Sequence, residues 1–519
     1  MAEVWLKVYT REPDSDGYSI DLANSVHMAY RMDGKDYVPF YNNYGILFAK
    51  GSITGKNTIH CKGLKNPCIF HTVGRKYVIM APLCDNVAGY DSETAGSVAF
   101  WVTEDFIRYG EMRMLYLNTS ACIDKISGTY NAALARYELL WQDREGNVFE
   151  NYVSDLECAA DMTAPVLQTG KEIGSYNEIT VPEEMVNRLK RKLLPPERCQ
   201  MADSAIKLSF PLATGWADPQ IFRWKNKYYF IATNDNNNDI GIYVRESDTV
   251  EGLFEGAEPV LLLDVDQERK FIQNFWAPEL HKIGDDIYIL FAVSGESFGP
   301  QCHMMKLKRN GEIGTPSDWE VPERVRRAEG SFLAEHGITL DMTYFEAGGR
   351  SYLVWSYREH IFSEKDTGSM LYIATTDKAN PYQLTSEPVL LSRPLWGWEN
   401  TEGTINNEGP FALLRNGKVY LAFSGGSAGG DSYAVGLLVA EETKDLLNPL
   451  CWEKRPAPMH TSYTVKGEYG PGHNSFFTDE NGNVYTVYHA KTALKDAPRC
   501  TAVRGVWFDE DGEPVVDTF

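Results

Sequence analysis

From about residue 206 onward, short apolar and aromatic runs come in pairs, each pair separated by a two-residue polar turn. The first pair is Ala217-Asp218-Pro219-Gln220-Ile221-Phe222, then the turn Lys225-Asn226, then the run 228–231. A carboxylate at a turn, a following proline that favours extended backbone before it, and two runs of aromatic and β-branched residues predict strand, turn, strand. The template returns at Trp276-Ala277-Pro278-Glu279-Leu280, Leu340-Asp341-Met342-Thr343, Asn407-Glu408-Gly409-Pro410-Phe411 and Gly472-His473-Asn474-Ser475-Phe476. Each copy closes with an apolar run, at 287–291, 352–355, 419–423 and 484–488. Outer strands fit between the copies, at 241–246 with 258–262, at 371–375 with 387–391, and at 436–440 leading to Trp452. The lead polar residues at 218, 279, 341, 408 and 473 are 61, 62, 67 and 65 residues apart. Near-even repetition of a four-strand unit predicts an all-β fold, a β-propeller of five blades over 206–519.

Residues 1 to about 165 also read as β-rich, with strands at 25–30, 44–49, 77–81, 96–103 and 132–141. Asn66-Pro67-Cys68-Ile69-Phe70-His71, followed by 76–80, repeats the downstream template, but Asn66 stands where Asp218 does and cannot ionise. The expectation for 1–165 is a domain of two or three degenerate blade-like sheets without an active centre, with a β-sandwich as the alternative. Residues 166–205 read as a connector holding a short linker helix. Thr180 is its expected N-cap, Glu183 and Glu184 lie in its first turn, basic residues load its end, and Pro195-Pro196 stops it.

Composition narrows the partners. The chain has 519 residues, 43% hydrophobic and 12% aromatic, enough for two or three domains with buried cores. Its net charge of −22 repels phosphates, so nucleic acid and anionic membrane are not expected partners. No run has the length of a membrane span. Nine scattered cysteines, an odd number without a C-x-x-C pair, argue against a disulfide framework or a zinc site. With no basic segment and apolar run at the N-terminus, a cytoplasmic location is expected.

In a propeller the innermost strands line a central channel, and their equivalent ends meet at one mouth. The template therefore places Asp218, Glu279, Asp341, Glu408 and His473 (or Asn474) around a common cavity. Crowded carboxylates raise one another's pKa, so one stays protonated while another ionises. An acid for a leaving oxygen and a base for water are the equipment of glycoside hydrolysis. Each motif alone also reads as a turn or strand cap. What favours chemistry is that the lead residue changes from blade to blade, whereas a purely structural cap could be constant.

Trp216-Ala217-Asp218-Pro219, Trp276-Ala277-Pro278-Glu279, Leu340-Asp341-Met342-Thr343, Asn407-Glu408-Gly409-Pro410 and Gly470-Pro471-Gly472-His473-Asn474-Ser475 together resemble glycoside hydrolase family 43 over about 206–519. The resemblance implies a five-bladed propeller that hydrolyses glycosides with inversion. It makes Asp218 the general base, Glu408 the general acid, and Asp341 the residue that tunes and orients that acid. No cofactor is required. His473 matches a histidine near the channel centre that sits by a bound calcium or a water, so a structural calcium there is one expectation and a hydrogen-bonded histidine the other. Glu279 matches none of the three catalytic positions and reads as a sugar hydrogen-bonder or a cap. Trp216, Phe275 and Trp276 are candidate sugar-stacking platforms or core residues, and Arg499 is a candidate for a sugar hydroxyl. Asn407-Glu408-Gly409-Pro410 with Tyr469-Gly470-Pro471-Gly472-His473-Asn474 looks most like exo-acting α-L-arabinofuranosidase members, so the expected substrate is a plant-derived arabino-oligosaccharide. A β-xylosidase is the first alternative. A catalytically silent sugar-binding propeller is the second, opposed by three filled catalytic positions. The N-terminal part departs from the single-domain pattern and is expected to extend the pocket rim or to mediate assembly into a homo-oligomer.

Overall fold

After residue 206 each pair of apolar runs folds as an antiparallel hairpin, because the polar turn lets two apolar strands return on each other. The computed structural model describes residues 4–14, 17–32, 34–74, 76–87, 89–174, 176–401 and 403–519. The inner strands are Trp216–Trp224, Phe271–Ile283, Ile338–Ala347, Asn407–Arg415 and Tyr469–Thr478. Their partners are Lys227–Asn234, Asp286–Gly295, Arg350–Arg358, Lys418–Gly425 and Val484–Lys491, and each sheet continues outward through further strands. These second strands are buried on both faces, which is why they read as near-continuous apolar runs without alternation. The inner strands neighbour one another in cyclic order, the last against the first. This is a five-bladed propeller. Its ring is closed by the chain segment that precedes the first blade: Ala213–Thr214 is the outer strand of the last blade, opposite Thr501 and Cys500 of Arg499–Phe508.

The chain forms two compact units, one of residues 53–59, 198–394 and 399–519, the other of 1–52, 60–197 and 395–398. Two short segments thus belong to the unit remote from them in sequence. Asn57 Oδ1 accepts from Arg393 Nη1 at 2.8 Å within the propeller unit. Within the other unit, the Leu395 carbonyl accepts the Gly51 N–H at 2.7 Å.

That other unit is built mainly from three antiparallel sheets. The run 44–49 is not a strand in it. It makes only the isolated bridge between Val26 and Leu47, although residues 46–49 are buried, and a buried apolar run reads the same whether or not it is extended. The stretch expected as a connector is also part of this unit. Val166–Leu167 pairs with Val148–Val153, and Glu178–Val181 pairs with Val4–Tyr9. Thr180 lies opposite Trp5 in that ladder, so it does not cap the helix; the N-cap of Glu183–Leu193 is Pro182. Val186 and Leu189 enter the core with Val4 and Leu6, which makes this a packed helix and not a linker. Asn66 donates from Nδ2 to the Asp124 carbonyl at 2.8 Å, a structural bond.

Candidate active site

Every inner strand carries the same irregularity. Residues 218–219, 277–278, 341–342, 409–410 and 473–474 are bulged, two facing one residue on the second strand. The first bulged residue has positive φ in each case: Asp218 51°, Ala277 45°, Asp341 54°, Gly409 56° and His473 46°. A bulge bends a strand and re-aims a side chain, and a non-glycine residue on this side of φ is strained, which is typical of functional positions. Asp218 is therefore not extended, despite the proline after it. The true equivalents are Asp218, Ala277, Asp341, Gly409 and His473. Glu408 comes one residue before the bulge and Glu279 two residues after its first position, so the five lead residues of the template are not one structural set. Pro219, Pro278 and Pro410 share the second bulged position, and that proline is the feature to align on.

The hub nevertheless brings Asp218, Asp341, Glu408 and His473 together, all buried. Asp218 Oδ1 lies 3.2 Å from Arg499 Nη1 and 3.3 Å from His473 Nδ1, and Oδ2 accepts from Thr233 Oγ1 at 2.6 Å. The Asp218 N–H donates to His489 Nδ1 at 3.2 Å, while His489 Nε2 faces the Ala428 carbonyl at 3.1 Å. A neutral ring protonated on Nε2 satisfies both, and burial lowers the His489 pKa accordingly. Burial opposes ionisation of Asp218, but His473 and Arg499 outweigh it and hold this carboxyl well below the ordinary range.

Asp341 and Glu408 behave the other way. Asp341 Oδ2 accepts the Gly409 N–H at 3.1 Å and Ser356 Oγ–H at 3.3 Å. Burial, helped by Asp218 and opposed by His473, pushes its pKa up to about 6. Glu408 Oε1 accepts from the Tyr433 hydroxyl at 2.9 Å. Burial and then Asp341 push Glu408 up to about 7, against His473 and the Tyr433 bond. The hub thus holds one ionised carboxylate and one that keeps its proton to about pH 7.

The other candidates are placed as follows. Arg499 spends Nε and Nη2 on Asp235, at 2.9 and 2.6 Å, and Nη1 on Asp218, so it orients the carboxylate instead of awaiting a sugar. Phe275 is 0% exposed in the core between blades one and two, and Trp216 packs edge-on against Phe230 and Tyr243; neither is a platform. Trp276 is half-buried and fixed by its Nε1 donating to Asp239 Oδ2 at 2.8 Å, which leaves it the one aromatic of the three with an open flank. Glu279 is buried, with Oε2 2.6 Å from His281 Nε2, a capped group and not a sugar contact. Burial favours a neutral His473, yet Asp218, Asp341, Glu408 and Glu279 override it and raise its pKa. His473 Nδ1 faces the Asp218 carboxylate at 3.3 Å, and calcium takes six to eight oxygens, which a ring nitrogen does not supply. The surroundings of His473 fit an ion pair better than direct calcium ligation.

Several residues escaped the sequence reading: Thr233, Ser356, Ser424, His489 and Tyr433. The first four pair with the residue just before the bulge in their blades, a position held by Ala292 in blade two. Each supports the hub, Ser424 by accepting the His473 N–H at 2.7 Å. Their signal was a polar residue recurring at one fixed place in mostly apolar second strands. In the other unit, Lys62 Nζ clamps Asp91 at 2.7 Å and Glu93 at 2.9 Å, and His60 sits between Glu93 and Asp85. His60, Asp91 and Glu93 have ligand-like spacing, but the buried ammonium already neutralises those acids.

A profile of Glycosyl hydrolases family 43 matches residues 211–514, from the ring-closing strand to the end of the last blade. The chain belongs to this family. Among curated relatives, alpha-L-arabinofuranosidase B of Pyricularia oryzae is 34% identical over 310 residues, 57% of this chain and 60% of that protein. An extracellular exo-alpha-(1->5)-L-arabinofuranosidase of Streptomyces chartreusis is 35% identical over 283 residues, 54% of this chain and 81% of that protein. The match thus spans less than two thirds of the Pyricularia protein. The crystal structure of an alpha-L-arabinofuranosidase from Lactobacillus brevis has a TM-score of 0.52 at 31% identity, covering 59% of this chain and 94% of that one.

Proposed function

We propose that this family 43 propeller is an inverting exo-glycosidase that removes terminal α-L-arabinofuranosyl residues from arabino-oligosaccharides. The observation that carries the reading is the split between two carboxyls in one buried hub. Asp218 is held ionised by its cationic neighbours, and Glu408 is held protonated to about pH 7 by burial and Asp341. In the proposed step, Asp218 takes a proton from a water molecule while the water oxygen attacks the anomeric carbon. The bond from that carbon to the leaving oxygen breaks, and Glu408 gives its proton to that oxygen. Asp341 acts through Glu408: it holds the Gly409 N–H next to it and raises its pKa. The choice of sugar rests on the arabinofuranosidase names of the relatives, and the exo mode on the name of the Streptomyces protein.

The test compares kcat/KM on an arabino-oligosaccharide with that on an aryl α-L-arabinofuranoside of acidic phenol. A poor leaving group needs the acid most, so Glu408→Ala should lose roughly 10²–10⁴-fold on the oligosaccharide and much less on the aryl substrate. Asp218→Ala should lose equally on both, and Asp341→Asn should follow the Glu408 pattern. Equal losses for Glu408→Ala would remove its assignment as the acid. Faster turnover of an aryl β-D-xyloside than of the arabinofuranoside would move the sugar assignment to xylose.

A further inference from the structure

Outside the hub, the propeller unit holds a cavity of about 770 Å³, within the size range of small-molecule sites. Its walls are Phe271 at the start of the second inner strand, Phe298 at the start of the third strand of that blade, Arg324 on its outer strand, and the loop from Arg326 to Gly337. Gly337 immediately precedes the third inner strand. These strand starts lie at the same end of blades two and three as the bulges at 277 and 341, so the cavity sits at the mouth end, radially outside the hub.

Two features mark it as built to receive something. The first is cationic charge without a counter-charge. Arg324 Nη2 donates to Gln301 Oε1 at 2.7 Å and to the Ala334 carbonyl at 3.2 Å, and Arg326 Nη1 donates to the Gly330 carbonyl at 3.0 Å. Among the described residues, neither guanidinium has a carboxylate partner, in a chain with 72 acidic residues against 50 basic ones. Half-buried Arg324 is pushed down to about 10 by burial and by Arg326. A desolvated, unpaired cation destabilises the fold, and such departures from pairing concentrate at functional sites. The second feature is the aromatic scaffold. The Arg324 guanidinium lies 3.9 Å from the Phe332 ring centroid and 5.3 Å from that of Phe298, and Arg326 lies 4.7 Å from that of Phe332. Rings fix the guanidinium planes while their N–H edges stay available. The other charges in the lining are Arg269, already paired with Asp266, and exposed Glu335. Phe332 stays 38% exposed beside the two guanidiniums, which leaves part of its apolar surface open.

We propose that this cavity is a second carbohydrate site that takes an acidic saccharide: a uronic acid residue whose carboxylate bridges Arg324 and Arg326 and whose ring packs beside Phe298 and Phe332. A planar carboxylate matches the guanidinium fork, and the apolar flank suits the C–H face of a sugar ring, which a bare phosphate would leave uncovered. Such a site holds an acidic saccharide at the mouth end of the propeller. It does not depend on which glycosidic bond the hub cuts.

The experiment is calorimetric titration of the intact protein with a uronic acid disaccharide, with the same disaccharide after reduction of its carboxyl to the alcohol, and with inorganic phosphate. The acidic disaccharide is expected to bind at least about tenfold more tightly than the other two, and to weaken with salt. Arg324→Gln and Arg326→Gln should each lower that affinity by about tenfold or more, while turnover of the aryl α-L-arabinofuranoside stays unchanged. Arg326 is exposed, so its variant folds even where loss of half-buried Arg324 does not. Equal binding of acid and alcohol, no binding of the acid, or affinity that survives Arg326→Gln would overturn the proposal. Phosphate binding as tight as the acid would make this an anion site and not a sugar site. Because the readout is binding, it stands or falls separately from the catalytic roles assigned to the hub.

Discussion

Burial and the neighbouring Asp341 hold the Glu408 proton to about pH 7, whereas the ordinary value for this side chain is 4.5. Between those two values the folded protein binds a proton that the unfolded chain has released. Stability therefore falls as pH rises from about 4.5 to about 7, and the loss is complete above that window. Glu408→Gln keeps an oxygen for the Tyr433 hydroxyl and removes the titration. The variant is expected to be more stable than the parent above pH 7, by on the order of 3 kcal/mol, and equal to it near pH 4. Thermal melts at the two pH values read this directly; identical melting of both proteins at pH 8 would show that Glu408 ionises freely. The same group gives the parent enzyme a falling limb of kcat/KM near pH 7, as the proton needed by the leaving oxygen is lost.

The five bulges do at the level of the strand what the carboxylates do at the level of charge. Each turns one residue of an inner strand into the hub, and Gly409 shows how tight the fit is. It sits at φ 56°, and a Cβ there would meet the His473 ring at 2.9 Å. Gly409→Ala is expected to destabilise by about 1–3 kcal/mol, and to lower kcat/KM as well, because the Gly409 N–H is the anchor of Asp341. A variant with parental Tm and activity would mean that the bulge yields freely. The bulge also explains which parts of the site were legible. Asp218, Asp341, Glu408 and His473 were readable because polar residues stood out at the heads of apolar runs. Their exact equivalence was not, since a bulge adds a residue without changing composition, and spacing alone slid Glu279 and Glu408 onto the wrong position. Phe275 and Trp216 were misjudged in part for the same reason. An aromatic beside a motif reads alike whether it lines the mouth or the core between blades.

For the whole molecule, the five blades were legible because each is a local hairpin with a local pattern. The exchanged segments 53–59 and 395–398 were not, since nothing in a short stretch records which distant unit it joins. Ring closure belongs to the same class of long-range feature, and it links fold to chemistry. The closing strand leans on Arg499–Phe508, whose first residue is the arginine paired with Asp218. Leu212 donates its N–H to the Thr501 carbonyl at 3.0 Å and Gly215 donates to the Arg499 carbonyl at 2.8 Å, so one closing bond falls on that arginine and the other two residues beyond it. Leu212→Pro removes the first bond and leaves a carbonyl unpaired, a loss of about 1–3 kcal/mol. Thr385→Pro makes a comparable cut far from the closure, since the Thr385 N–H donates to the Thr375 carbonyl at 2.8 Å in blade three. Both variants should melt below the parent. Only Leu212→Pro should also lose kcat/KM on the aryl substrate, because loosening the last blade frees Arg499 and lets the Asp218 pKa rise toward its ordinary value. The acid limb of the activity profile should then move to higher pH in that variant alone. An unchanged acid limb in a destabilised Leu212→Pro would separate ring closure from the electrostatics of the hub.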